Sequence, residues 1–229
     1  MNYDGTPLDT TKHTYNQAFS IYALSSYYEA YTELYRVSAD EAVKTRLAWM
    51  MDVFADKVFN PDLKRQEVFF DKNYNSIIDL HSYGHDIETA WLIDRGVDVL
   101  KDENYRQKMT KITKILTQNI YDVAFDGHSL ANECEKGVVD TNRVWWVQVE
   151  TIVGFINGYE HDRSRTDYLE AAEAVWRFVK EYQLDKRKGS EWFWLVRKDG
   201  TPVEGKPIVE PWKCPYHNGR MCFEVIRRL

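Results

Sequence analysis

Apolar side chains return every three or four positions along most of this chain, the spacing of helices that bury one face. Residues 12–36, KHTYNQAFSIYALSSYYEAYTELYR, carry Tyr15, Phe19, Tyr22 and Leu24, with later aromatics at the same spacing. Residues 39–58, ADEAVKTRLAWMMDVFADKV, predict a second helix with Leu47, Met51 and Phe54 in one stripe. Further helices are predicted at about 84–99, 104–120, 141–159 and 165–183, and a last one from about 216 onward. Two stretches break the period. QEVFFDKNY, 66–74, predicts a short strand and turn, and EWFWLVRKDGTPVEG, 191–205, predicts a β-hairpin turning at Asp199-Gly200. No Pro/Ser-rich linker divides the chain, so residues 1–229 are expected to form a single all-α domain. Repeated amphipathic helix pairs favour an α/α toroid or solenoid over a four-helix bundle.

Composition then removes several classes of function. With 229 residues, 44% of them hydrophobic, the chain can build a real core. The 30 basic residues against 36 acidic ones give a net charge of −6, which argues against binding a phosphate backbone. The opening MNYDGTPLDTTKH lacks the basic-then-apolar pattern of a signal peptide, and no apolar run approaches membrane-spanning length. Neither nucleic acid nor membrane is an expected partner. Cys134, Cys214 and Cys222 form no disulfide framework, so a cytoplasmic location is expected. Eight Trp and fifteen Tyr stand out; core filling absorbs most, and any that line a pocket can stack on sugars.

Three constellations could carry chemistry. In LHSYGHDIETAWLI, 80–93, Ser82 is a plausible N-cap that puts His85 in the first helical turn, where unpaired N–H groups keep an imidazole neutral. His85 and Glu88 share a face there, either as an acid/base pair or as an ordinary surface pair at a helix start. In NRVWWVQVETIVGF, 142–155, Trp146 and Glu150 share a face with Arg143 one turn earlier. This reads as an indole plate with a hydroxyl-accepting carboxylate, or as a core tryptophan beside a structural Glu–Arg pair. PWKCPYHNGRMC, 211–222, holds Trp212, Cys214, His217, Arg220 and Cys222. Zinc needs four ligands, and no second close pair follows Cys214 and His217, so no metal site is expected. A Cys–His nucleophile pair cannot be read from local spacing.

SYGHDIE, RVWWVQVE, EWFW and PWKCPYHNGRMC, in this order and spacing, resemble the N-acylglucosamine 2-epimerase superfamily, and within it the cellobiose 2-epimerases. The resemblance runs from about Tyr3 to the C-terminus. It implies an all-α (α/α)6 barrel, here incomplete, with about seven helices plus a short β-hairpin. It implies epimerisation at C2 of the reducing-end sugar of a β-1,4-linked disaccharide, cellobiose to glucosyl-mannose, with no cofactor and no metal. By the same resemblance His85 and His217 are the acid/base histidines at C2, and Glu88 assists His85 and ring opening. Trp146, Glu150, Trp212 and Tyr15 would contact substrate. Two imidazoles suit this chemistry, since each exchanges a proton near neutrality on its own face of a planar enediolate. Cys214 and Cys222 are then expected to be packing residues.

The chain also departs from the family. Family members are longer, with six helix hairpins, and carry pocket residues, an arginine among them, in helices that would precede Met1. They carry a further catalytic histidine just ahead of a helix beginning like EAYTELY, whereas here Tyr27-Tyr28 run directly into Glu29-Ala30-Tyr31. Very low activity is therefore expected of this chain, with a sugar-binding or partner-associating remnant as the alternative. Apolar helix faces left without cover would favour self-association.

Overall fold

A computed structural model describes residues 28–211 and 213–228. Helices α1 (28–38) and α2 (Glu41–Val53) come first, and α2 continues as one π-helical turn to Val58. Strands β1 (Phe59–Asn60), β2 (Arg65–Gln66) and β3 (Leu80–Ser82) lead into α3 (Tyr83–Leu100) and α4 (Glu103–Val123). Then follow β4 (Glu133–Glu135), β5 (Val138–Asp140) and β6 (Arg143–Val144), and the helices α5 (Trp145–His161) and α6 (Thr166–Phe178). A second π-helical turn, Val179–Gln183, the strand β7 (Leu195–Val196) and the helix α7 (Tyr216–Arg228) complete the described chain.

Helices α1, α3, α5 and α7 form an inner layer, with α2, α4 and α6 packed behind them, as in part of an (α/α)6 toroid. Composition explains the layering. Helix α3 buries Ile87, Trp91, Leu92 and Val97, and α5 buries Val147, Val149 and Phe155, while α4 buries only the stripe through Met109, Leu116 and Ile120. Gly154 lets α3 and α5 close up, since a Cβ there would lie 2.3 Å from Ile87 Cγ1. Asp40 and Asp102 cap α2 and α4 by accepting backbone N–H bonds, which fixes where both outer helices begin. Helix α7 differs, because it buries Asn218, Met221 and Glu224 and leaves Phe223 and Ile226 exposed at 75% and 72%.

Most predicted helices fall within a few residues of their observed limits. The segment 12–27 and its Tyr15 lie outside the described residues. The helix expected from 141 starts at Trp145, because Arg143 and Val144 pair with Val196 and Leu195 as β6 and β7. Leu195 is thus claimed by β6, and the hairpin at Asp199-Gly200 narrows to a Val196–Pro202 bridge closed by Arg197 and Thr201. Of QEVFFDKNY only Gln66 is in a strand; Asp71 accepts from the amides of Asn73 and Asn75 and makes the turn. The three-stranded sheet β3-β4-β5 was not expected from the sequence.

Candidate functional site

The N-terminal ends of the four inner helices meet. Each contributes polar side chains there: Glu29 from α1, His85 and Glu88 from α3, Trp146 and Glu150 from α5, and His217 and Arg220 from α7. Sheet β3-β4-β5 holds the entry to α3, where His81 bonds Asp86 at 2.9 Å and the backbone N–H of Gln66 donates to Asp86. The start of α5 is fixed by Trp145 N–H donating to Trp194 O at 3.1 Å. The start of α7 is fixed by Asn218 donating to Glu191, whose other oxygen accepts from buried Lys213.

Glu150 is the centre of the cluster. Its Oε1 lies 2.7 Å from His217 Nδ1 and accepts from Arg220 Nη2 at 2.8 Å, and its Oε2 accepts from Trp91 Nε1 at 3.0 Å. The same Arg220 nitrogen donates to Glu88 Oε1. Arg220 Nη1 donates to Glu29 Oε2 at 2.9 Å and to Tyr216 Oη at 2.7 Å. The Trp146 indole touches both histidines, with centroids 4.8 Å from the His85 ring and 5.6 Å from the His217 ring. Ser82 Oγ lies 2.6 Å from His85 Nδ1. Ser82 therefore stands at the N-cap position but engages His85 instead of the helix amides.

The charges divide the two imidazoles. Burial, followed by the positive charge of His217, lowers His85 to about 4 and keeps it neutral at pH 7. Burial also works against the cation of His217, yet the bond to Glu150 and the charges of Glu150 and Glu88 outweigh it, and His217 is raised. Glu88 is raised, chiefly by burial and then by the charge of Glu150. Glu150 would be raised by burial too, but Arg220 and His217 reverse the sign and it is lowered. An imidazole kept neutral and an imidazole biased toward its charged form thus flank one aromatic plate.

Ligand atoms of Glu88, Glu150 and His217 lie within 4.8 Å of one another, a spacing a divalent cation could use. Arg220 already supplies positive charge to both carboxylates, so a metal would have to displace a guanidinium bonded to four side chains. The donor set fits an arginine better than an ion.

Of the residues singled out in the sequence, the structure brings together His85, Glu88, Trp146, Glu150 and His217. Tyr15 and Trp212 lie outside the described residues. Glu88 Oε1 accepts from Arg220 Nη2. Arg143 is not the partner of Glu150: it precedes α5 and donates to Ser129 Oγ at 2.8 Å and to Asp126. Cys214 and Cys222 are exposed, so neither packs in the core as expected. Arg220 was given no role by the sequence reading, and Trp91 was missed. Arg220 lies three residues after His217, one helical turn on, and that spacing was a signal available in the sequence.

Residues 34–218 match the family described as N-acylglucosamine 2-epimerase (GlcNAc 2-epimerase). A cellobiose 2-epimerase of Ruminococcus albus is 40% identical over 291 aligned residues, covering 100% of this chain and 75% of the relative. One from Eubacterium cellulosolvens is 37% identical, covering 99% of this chain and 75% of the relative. Among solved structures, a sugar epimerase from a ruminal bacterium superposes with a TM-score of 0.87 at 48% identity over 90% of this chain. The cellobiose 2-epimerase of Bacillus thermoamylovorans does so with a TM-score of 0.86 at 46% identity over 90% of this chain. The chain spans only 53% and 52% of those two structures. The Ruminococcus alignment takes 291 positions against 229 residues here, so at least 62 of its positions have no counterpart in this chain.

Proposed function

The chain belongs to the N-acylglucosamine 2-epimerase family, and from that premise we propose that its cluster inverts C2 of the reducing-end sugar of a β-1,4-linked disaccharide, cellobiose to glucosyl-mannose. The observation that carries this reading is the contact of one indole with two imidazoles of opposite proton bias. Environments that push like groups apart assign acid and base.

In the proposed sequence the sugar stacks on Trp146, with Trp212 and Tyr15 as further contacts. Ring opening breaks the bond between C1 and the ring oxygen: the anomeric hydroxyl gives its proton to Glu88, whose affinity for a proton is raised, and Glu88 passes it on to the ring oxygen and ends as it began. Neutral His85 takes the C2 proton, leaving an enediolate. His217, held by Glu150 through Nδ1, gives a proton to the opposite face of C2 and becomes neutral. Ring closure completes the inversion. His85 then loses its proton to water and His217 regains one from it, so protons balance over a turnover and no cofactor enters the balance.

The test is chromatography of cellobiose incubated with the protein. The expected product is a disaccharide with mannose at its reducing end, formed slowly and lost in His217→Ala. Its absence at every enzyme concentration would count against catalysis.

The 62 or more positions without counterpart favour a second reading, in which the chain binds sugar without turnover or associates with another copy. The apolar groove of about 470 Å³ beside α7, lined by Ile156, Leu169, Trp176 and Ile226, suits such association. Self-association predicts a dimer in sedimentation that Ile226→Asp returns to monomer, and a monomer at all concentrations would refute association.

A further inference from the structure

Arginine presents a planar fork of donors that never loses its charge under ordinary conditions. Arg220 uses that fork on three carboxylates from three helices: Glu29 of α1, Glu88 of α3 and Glu150 of α5. Its guanidinium lies 5.0 Å from the centroid of buried Trp91, which itself donates to Glu150. One side chain therefore touches both carboxylates of the proposed chemistry and shares a single oxygen, Glu150 Oε1, with His217.

We propose that Arg220 is a positioning residue of this site: it clamps Glu88 to Glu150, holds the Glu150 carboxylate against His217 Nδ1, and sets the pH at which His217 changes its proton. This rests on the acid/base reading of His217 given above. Two buried carboxylates facing each other cannot both stay ionised without a neighbouring cation. Without Arg220 one of them takes a proton, and Glu88 is the one already raised.

The groups facing His217 are Glu150 from α5, Glu88 and His85 from α3, and Arg220 and Tyr216 from α7 itself. Glu29 of α1 reaches it only through Arg220 and Tyr216. Among these, Arg220 is a cation that opposes protonation of His217. Its removal also neutralises Glu88, whose charge raises His217 by more than Arg220 lowers it, so the titration of His217 falls.

The experiment compares the 229-residue chain with Arg220→Met and Arg220→Lys. The ring C–H signals of His217, identified by their loss in His217→Gln, are followed by NMR across pH. The pH profile of deuterium uptake at C2 of cellobiose is recorded alongside. Arg220→Met is expected to move the His217 midpoint down, with the uptake profile moving with it. Arg220→Lys keeps the charge without the fork, so the midpoint should stay while uptake falls about tenfold or more. A folded Arg220→Met protein with the midpoint unchanged or raised overturns the proposal. Should that variant fail to fold, Arg220→Lys decides: undiminished uptake at an unchanged KM overturns it. A midpoint that moves in Arg220→Met, when the wild-type chain neither takes up deuterium nor shifts its His217 signals with cellobiose, supports the clamp and retires the epimerase reading.

Discussion

His217 Nδ1 and Glu150 Oε1 lie 2.7 Å apart although 67 residues separate them in the chain. The contact joins the first turns of α7 and α5, and it fixes which nitrogen of His217 carries the proton on the Glu150 side. Glu150 completes its bonding with Arg220 and Trp91, so a charge almost wholly removed from water is held by three donors.

Removing that charge leaves two cationic partners buried without it. Glu150→Gln is expected to cost about 3–5 kcal/mol, the usual penalty for breaking one side of a buried ion pair. Urea unfolding followed by tryptophan fluorescence measures it, and a loss below about 1 kcal/mol would show the cluster to be wetter than its geometry implies.

Folded His85 is lowered to about 4, while in the unfolded chain it titrates near the ordinary value of about 6.5. Between those pH values the unfolded state takes up a proton that the folded state refuses. Stability should therefore fall as pH drops from about 6.5 to about 4, by up to about 1.4 kcal/mol per unit from this group. His217, raised in the folded state, is protonated in both states at the acid end of that window and adds no slope there. The variant His85→Gln should lose less stability than the wild type between pH 6.5 and 4.5. Parallel curves would mean that His85 is not held neutral.

Gly84 packs beneath the proposed sugar platform: a Cβ there would lie 2.5 Å from Trp146 Cη2. Gly84→Ala should push the indole aside, lowering stability by about 1–3 kcal/mol as other overpacked sites do. It should also weaken the fluorescence change on adding cellobiose. Unaltered sugar response would remove Trp146 from the binding surface.

The residues legible in the sequence were those whose partners lie one helical turn away. His85 with Glu88 and Trp146 with Glu150 each share a helix face, so local spacing placed each pair before any fold was known. The links between pairs were not legible, because Arg220 reaches across to α1, α3 and α5, and nothing local announces such reach. Arg143 misled for the same reason. Its neighbours in sequence suggested Glu150, whereas a two-residue strand turns it toward Asp126 and Ser129. Sheet β3-β4-β5 escaped notice because its three-residue strands are too short to show an alternation. The turn between β4 and β5 is Lys136-Gly137, both at positive φ, without the Asn-Gly or Asp-Gly that marks such hairpins.

The most direct test of the central claim, that His85 and His217 exchange protons at C2, is deuterium uptake from D₂O into cellobiose, read by NMR. Slow uptake at C2 of the reducing-end sugar is expected, with the label in both the glucose- and mannose-configured products. Acid/base groups contribute about two to four orders of magnitude, so His85→Ala should bring uptake into cellobiose to the level of buffer alone, while His217→Ala, which keeps the base that takes the C2 proton, should place label only in the glucose-configured disaccharide. Label in a mannose-configured product of His217→Ala, or none in a wild-type chain that binds cellobiose, would contradict the account.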